Sequence, residues 1–401
     1  MSPAHDAYLT SEEATIRLGI SAATLYAYVS RGLVESRPGR DRRSRVYRRR
    51  DIERLAARKR AGRGAAQSLD RGLPVMETRI SLIRADGPYY RGHSAIGLVR
   101  RGASLEDAAR ILWDCGAEDP FDHAPPVAWP RAAIAIATQA TLPALVRTLA
   151  TIPLLAIDAR SSVDAPASVR NAIAARLLRQ NAALLVGRRA GKAPVHQLLS
   201  HAWRRRDAHF AEIVRAALVL CADHELNVSA FAARVVASTG ADLHATVCTG
   251  LAALSGPRHG GATARAYAFI AETRDAQSIA ACIETRAQRG DDLPGFGHAL
   301  YPDGDPRAAE LLAMLRTSRK GSQPLARIDG LVAQAEHGGQ YPNIDFMLAA
   351  IAWCHGLGAE AALVLFAAGR VAGWLAHALE QQDHGGFIRP RARYDGEPPR
   401  D

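Results

Sequence analysis

The chain has no cysteine framework: Cys115, Cys221, Cys248, Cys282 and Cys354 stand far apart, without a CxxC pair. That spacing excludes a disulfide scaffold and the common structural zinc sites, and it suits a reducing cytoplasm. Residues 1–14 carry acidic groups and no apolar run behind a basic cluster, so they do not read as a signal peptide. The most apolar stretch, 132–156, is broken by Thr138, Gln139, Pro143, Arg147 and Pro153, and it reads as buried helix rather than membrane span. A phosphate loop is absent too. Gly187-Arg-Arg-Ala-Gly-Lys192 lacks the required glycine spacing and has Ala193 where a metal-binding Ser or Thr would stand, so it reads as a helix end and a solvated basic turn. No repeat of 20 to 50 residues is evident, and no metal site is expected.

What is present is an ordinary globular composition, 48% hydrophobic and 23% charged over 401 residues. That length allows one large domain and a small one. The net charge of +11 is unevenly placed. Residues 1–64 hold 15 Lys and Arg against 7 Asp and Glu, whereas the remainder is nearly balanced at 36 against 33. A compact basic head on a near-neutral body implies a polyanionic partner for the head, since phosphate neutralisation drives nucleic-acid affinity.

The head can be parsed residue by residue. Thr10 and Glu13 have capping-box spacing, Ala14 and Leu18 form an inner helical face, and Gly19 stops the helix. Ser21 caps a second helix with Leu25 and Val29 inward, which leaves Tyr26 and Arg31 facing outward. Two short helices joined by a glycine-containing turn form a helix-turn-helix, whose second helix enters a major groove. Arg37 to Tyr47 suits a hairpin wing that lays Arg42, Arg43 and Arg45 over phosphates, and a basic helix is expected over 51–60. The stretches YLTSEEATIRLGISAATLYAYVSRGLV and SRVYRRRDIERL resemble the small winged helix-turn-helix domains of the MerR and excisionase type, over about a seventh of the chain. The resemblance implies DNA binding, and a dimer presenting two heads, because one module reads few base pairs. A docking or oligomerisation arm is the alternative. We place this domain at 1–64 and a small, polar linker at 65–76.

From residue 77 the pattern starts with a hairpin: Ile80, Leu82 and Ile83, a turn at Asp86-Gly87-Pro88, then Tyr89 and Tyr90. Beyond it, apolar positions recur at helical spacing in stretches of 12 to 20 residues, so the body is expected to be mostly α-helical. Three clusters in it carry chemistry. In Ser255-Gly-Pro-Arg-His-Gly-Gly-Ala262, Gly260 and Gly261 remove side chains beside His259 and let a ligand approach the backbone. The loop Pro294-Gly-Phe-Gly-His-Ala-Leu-Tyr-Pro-Asp-Gly-Asp-Pro-Arg307 is too rich in Gly and Pro to be regular, and it presents His298 and Arg307. In Tyr341-Pro-Asn-Ile-Asp345, Asp345 begins an otherwise apolar helix, where it is either an N-cap or a base in an apolar pocket. Two loop histidines and an isolated carboxylate suggest proton transfer beside a carbonyl.

These clusters resemble the citrate synthase family. YYRGHSAIGL, EDAARILW, ADHELNVSAFAARVVAST, LAALSGPRHGGA, PGFGHALYPDGDPRA, YPNIDFMLAAI and GRVAGWLAHALEQ followed by IRPRARYDG occur in family order over 77–396. The resemblance implies a two-domain all-α enzyme over 77–401. Its large domain would cover about 77–260 and 350–401, its small domain about 261–349, and it would work as a homodimer that closes over its substrate. It also implies condensation of acetyl-CoA with oxaloacetate and water to citrate and CoA, with acetyl-CoA as co-substrate, no cofactor and no membrane. The alternatives are 2-methylcitrate synthesis from propionyl-CoA, or a DNA-binding regulator whose body senses an oxo acid or acyl-CoA.

Position by position, the resemblance makes Asp345 the base, His259 the donor to the enol oxygen, and His298 the group that polarises the ketone. His224, Arg307 and Arg370 become ligands of the oxo-acid carboxylates, Arg389 reaches in from the partner subunit, and Arg258, Gly295 and Gly297 lie at the CoA end. The sequence departs from the family twice. Cys221 stands where many members have a histidine. Ala299, Pro302 and Asp303 stand where many synthases place Arg or Lys for the CoA phosphates, and Arg258 is the candidate to compensate.

Overall fold

The structure is a computed structural model. It describes residues 8–30, 32–39, 41, 44–52, 55, 76–122, 128–139, 141–156, 165–203, 207–273, 275–390 and 394–397.

The head is an antiparallel sheet with two helices. Strands β1 (Tyr8–Thr10), β2 (Ser36–Pro38) and β3 (Arg45–Arg48) pair in the order β1-β3-β2 around helices α1 (Ser11–Leu18) and α2 (Ala22–Ser30). The Thr10 capping box is present, and Gly19 ends α1 in the left-handed region at φ 56°. Ser21 Oγ accepts the Thr24 N–H at the start of α2. Leu9, Ala14, Leu18, Leu25, Val34, Tyr47 and Ile52 make a small separate core, with Val29 packed against it. Tyr26 is exposed as expected, and Arg45 opens the exposed start of β3. Arg31, Arg42 and Arg43 lie outside the described residues, as does most of the basic helix expected over 51–60, of which 49–52 and 55 are helical.

The body opens with β4 (Ser81–Arg84), β5 (Gly87–Tyr90) and β6 (His93–Ser94), an antiparallel three-stranded sheet. The hairpin is where the sequence places it, but its turn is one residue earlier. Arg84 pairs with Gly87, so the loop is Ala85–Asp86 and Gly87, at φ 125°, takes the strained position just after it. Helices follow: α3 (Ala95–Arg100), α4 (Leu105–Leu112), α5 (Arg131–Ala137), α6 (Ala144–Leu155), α7 (Ala167–Leu185), α8 (Val195–Ala202), α9 (Ala208–Cys221), α10 (Val228–Ala237) and α11 (Leu243–Leu254). After the His259 loop come α12 (Gly261–Glu272), α13 (Ala276–Arg289), α14 (Pro306–Ser318), α15 (Gln323–His337), α16 (Ile344–Cys354) and α17 (Ala359–His384).

Helix α17 is the axis of the body. Its run from Val364 to Gln381 is buried, and it packs on α7, α9, α10, α11, α12 and α16. By length and composition alone it could cross a membrane, yet 94% of its most apolar window is buried among those helices. A helix that is apolar around most of its circumference is then the expected outcome of being surrounded on every side, and Arg370, His377 and Glu380 are among its buried polar exceptions. Two glycines let α9 come close: a Cβ on Gly369 would stand 2.7 Å from the Leu218 carbonyl and 2.9 Å from Cys221 Cβ, and one on Gly373 would stand 2.5 Å from the Ala222 carbonyl. This close crossing delivers the end of α9 to Arg370, on which the site is built.

Candidate active site

Arg370 sits inside α17, wholly buried, and donates through Nε to the Cys221 carbonyl at 2.7 Å. Its Nη1 is buried without a hydrogen-bond partner. A guanidinium in that state is strongly unfavourable unless an anion completes it, so the orphaned donor marks an anion position. Cys221 itself is a buried thiol, which burial pushes up to about 12; its carbonyl rather than its sulfur receives the Arg370 hydrogen bond.

His224 follows two residues beyond the crossing. The turn that carries it is fixed from below: the Asp223 carboxylate is buried, accepts from Ser81 Oγ and lies 3.4 Å from His377 Nε2, while the Glu225 N–H donates to Ser81 Oγ. His224 Nε2 is 3.0 Å from Tyr301 Oη, and the His224 ring meets the His298 ring edge-on at 5.3 Å. Burial and the adjacent Arg307, Arg370 and His298 push the His224 pKa far down, so the ring is neutral.

Arg307 lies at the start of α14. Asp305 caps that helix, with Pro306 at its first turn, and grips Arg307 through Nε at 3.0 Å and Nη2 at 2.8 Å. Asp305 also accepts the Ile344 N–H, which ties α14 to the start of α16. His298 precedes this helix on the glycine-rich loop. Its Nδ1 accepts the Leu300 N–H at 3.1 Å, which leaves the proton on Nε2, and burial beside Arg307 lowers its pKa to about 4. Gly295 and Gly297 adopt φ 83° and 76°, and their loop is pinned alongside 341–343. Gly297 N donates to the Tyr341 carbonyl, Asn343 N to the Gly295 carbonyl, and Asn343 Nδ2 to the Gly297 carbonyl. These two glycines therefore set the path of the His298 loop.

Asn343 also resolves the choice left open for Asp345. Asn343 is the N-cap of α16, its side chain accepting from Asp345 N and Phe346 N. Asp345 is thus not a cap, and among the described residues no donor reaches its carboxylate. Burial raises it from 3.8 to about 6, against the opposing pull of Arg307 and Arg370.

His259 stands just before α12. Its Nε2 is 2.9 Å from Ser229 Oγ, which accepts the Trp374 Nε1–H at 3.1 Å and has one proton to give. If that proton goes to His259 Nε2, Nδ1–H is left as a free donor. Burial beside Arg370 holds the His259 pKa at about 4, so this ring is neutral too. A Cβ on Gly260 would stand 2.9 Å from Leu363, so only glycine lets the loop pack this closely on α17.

The sequence-selected residues thus converge. Arg370 exerts a direct electrostatic influence on His224, His259, Asp345 and Arg307, and Arg307 does so on His298. Two residues stay apart from this cluster: Arg389 is exposed on the segment after α17, and Arg258 is exposed beside His259. Sequence reasoning missed Tyr301, Ser229, Asp305 and Asn343. Capping rules signal the last two, as an Asp before Pro and an Asn before an apolar helix. Nothing in the spacing marks Tyr301 or Ser229.

Residues 68–391 match the family model for the citrate synthase C-terminal domain. The chain belongs to the citrate synthase family. Residues 9–61 match the MerR helix-turn-helix regulatory family. Citrate synthase 2 of Bacillus subtilis is 36% identical over 191 residues, 46% of this chain and 51% of that protein. The 2-methylcitrate synthase of Shewanella oneidensis is 34% identical over 194 residues, 47% and 52% of the two chains. The matched segment spans about half the length of these curated relatives. Among solved structures, the citrate synthase of the archaeon Thermoplasma acidophilum, a ternary complex with carboxymethyl coenzyme A and oxaloacetate, is similar with a TM-score of 0.72. It is 23% identical and covers 83% of this chain and 97% of its own, which extends the family fold across the body.

Proposed function

We propose that the body condenses acetyl-CoA with oxaloacetate and water to give citrate and CoA. The observation that carries this reading is a half-buried carboxylate, raised to about 6 and free of capping duty, that shares Arg370 as a neighbour with two neutral histidines. A thioester α-proton is very weakly acidic, so its removal needs a base held out of water and a donor on the forming enol oxygen. Asp345 is that base and His259 Nδ1–H that donor, a contribution of ~3–4 kcal/mol for one such preorganised hydrogen bond.

Arg307 and the open Nη1 of Arg370 take the oxo-acid carboxylates together with His224. His298 Nε2–H polarises the ketone and returns its proton to the product alkoxide. The enol carbon attacks the ketone carbon, and water then hydrolyses the resulting citryl thioester to release CoA. No metal or redox cofactor enters this sequence.

A homodimer with Arg389 supplied across the interface, and closure of a small domain of about 261–349 on the rest, belong to the same proposal. Gly295 and Gly297 shape the loop at the CoA end. Arg258, the cation nearest in sequence to His259, is assigned to the CoA phosphates that Ala299, Pro302 and Asp303 leave unmet. The test is release of free CoA from acetyl-CoA and oxaloacetate. Arg258→Ala is expected to raise the acetyl-CoA KM several-fold in that assay, and an unchanged KM removes it from the site. Propionyl-CoA run alongside separates citrate from 2-methylcitrate synthesis, a choice worth only ~1–3 kcal/mol of pocket packing.

The basic head and its MerR match favour a second role beside this one, binding of DNA through Tyr26, Arg31, Arg42, Arg43 and Arg45. If the body proves inactive, the same observations favour a regulator that senses an oxo acid or acyl-CoA.

A further inference from the structure

Three of the residues assigned to the oxo acid meet around a fourth that has no assigned role. Tyr301 lies in the turn between His298 and Arg307, its N–H donating to the His298 carbonyl at 3.1 Å and its carbonyl accepting the Gly304 N–H at 3.2 Å. Its ring centroid is 4.8 Å from that of His298 at an interplanar angle of 36°, and 5.6 Å from that of His224. The Arg307 guanidinium carbon is 5.5 Å from the same ring. The side chain is 3% exposed. A phenylalanine would fill this space and make the same ring contacts, so the hydroxyl is the informative atom. It meets His224 Nε2 at 3.0 Å, across 77 positions of sequence, and so joins the loop of His298 to the turn after α9.

We propose that Tyr301 is a positioning residue for the 2-oxo acid: its hydroxyl fixes the tilt and tautomer of His224, and its ring holds His298 and Arg307 apart. The inference rests on the oxo-acid assignment made above. An imidazole turns freely about its last side-chain bond unless one nitrogen is engaged. His224 is neutral and carries a single N–H, so the partner on Nε2 decides which nitrogen can face a carboxylate. The site must hold a small dianion between two buried arginines. A His224 that swings or swaps its proton would present a lone pair to that dianion, which is repulsive. The substrate class that this arrangement selects is a short dicarboxylic 2-oxo acid, with one carboxylate on the arginines and the other facing the His224–Tyr301 pair.

The experiment is Tyr301→Phe, which keeps the ring and removes only the oxygen. Binding of oxaloacetate to the full chain by calorimetry is expected to weaken about tenfold, equivalent to ~1.4 kcal/mol. In steady state the oxaloacetate KM rises by the same factor, while kcat and the acetyl-CoA KM stay within about twofold. In a His224→Gln background the substitution adds nothing further, because its effect passes through His224. Equal oxaloacetate affinity in wild type and Tyr301→Phe would overturn the proposal while leaving the oxo-acid site standing. A uniform rise in both KM values with a fall in kcat would also overturn it, since that is the signature of general loosening. Wild-type protein that binds no oxaloacetate fails the underlying reading itself, and the proposal with it.

Discussion

At the residue scale, the chemistry rests on two opposite effects of one buried environment. Burial lifts the Asp345 carboxyl to about 6 and drops His259 and His298 to about 4, so above about pH 6 the carboxylate is charged while both imidazoles are neutral. The acid limb of kcat/KM for the acyl-CoA should therefore fall near pH 6. An unperturbed carboxylate would place it near pH 4. Stability follows with a defined sign. The folded pKa of Asp345 lies above its unfolded value, so its contribution is intact below about pH 4 and is lost as pH rises through 6, by up to about 3 kcal/mol. Asp345→Asn should then abolish turnover yet raise Tm at pH 7.5, with the gain vanishing near pH 4. A lower Tm at pH 7.5 would show that the carboxylate is not strained as described. Most of these residues were legible in the sequence, because Gly, Pro and His clusters interrupt otherwise apolar helices. Tyr301 and Ser229 were not, since each acts through a contact with a residue distant in sequence, 77 and 30 positions away.

At the element scale, the site depends on backbone approach more than on loop length. Gly369 lets α9 lie against α17 closely enough for the Cys221 carbonyl to accept from Arg370 Nε. Gly369→Ala would force these helices apart, and overpacking of this kind costs about 1–3 kcal/mol. A lowered Tm together with a raised oxaloacetate KM is expected, and unchanged values of both would contradict the close crossing. The helical periodicity of the body was readable, as were the hairpin and the capping box of α1. The hairpin turn was misplaced by one residue, because Asp86-Gly87 reads as the turn centre while the register pairs Arg84 with Gly87. Glycines at helix crossings are equally opaque in sequence, where Gly369 looks like a weak point in a helix rather than a contact.

At the scale of the whole molecule, a basic winged-helix head precedes a family body that carries its own core, and the head's charge was evident from composition alone. If the head binds DNA through phosphates, affinity for a random duplex in a gel shift should fall steeply between about 50 and 200 mM salt, and removal of residues 1–64 should abolish it. Binding that is insensitive to salt, or that survives the truncation, would assign the head another partner. The charge asymmetry reveals this role only as a class, because the bases recognised depend on a few outward side chains. For the body, the most direct measurement is release of free CoA from acetyl-CoA and oxaloacetate by wild-type protein and by Asp345→Ala at matched concentration. Turnover by the wild type that falls at least about a thousandfold in the variant is the expected result. Equal rates in the two proteins, or no release by a folded wild type that binds both substrates, would contradict the assignment of Asp345 as the base of a condensing enzyme.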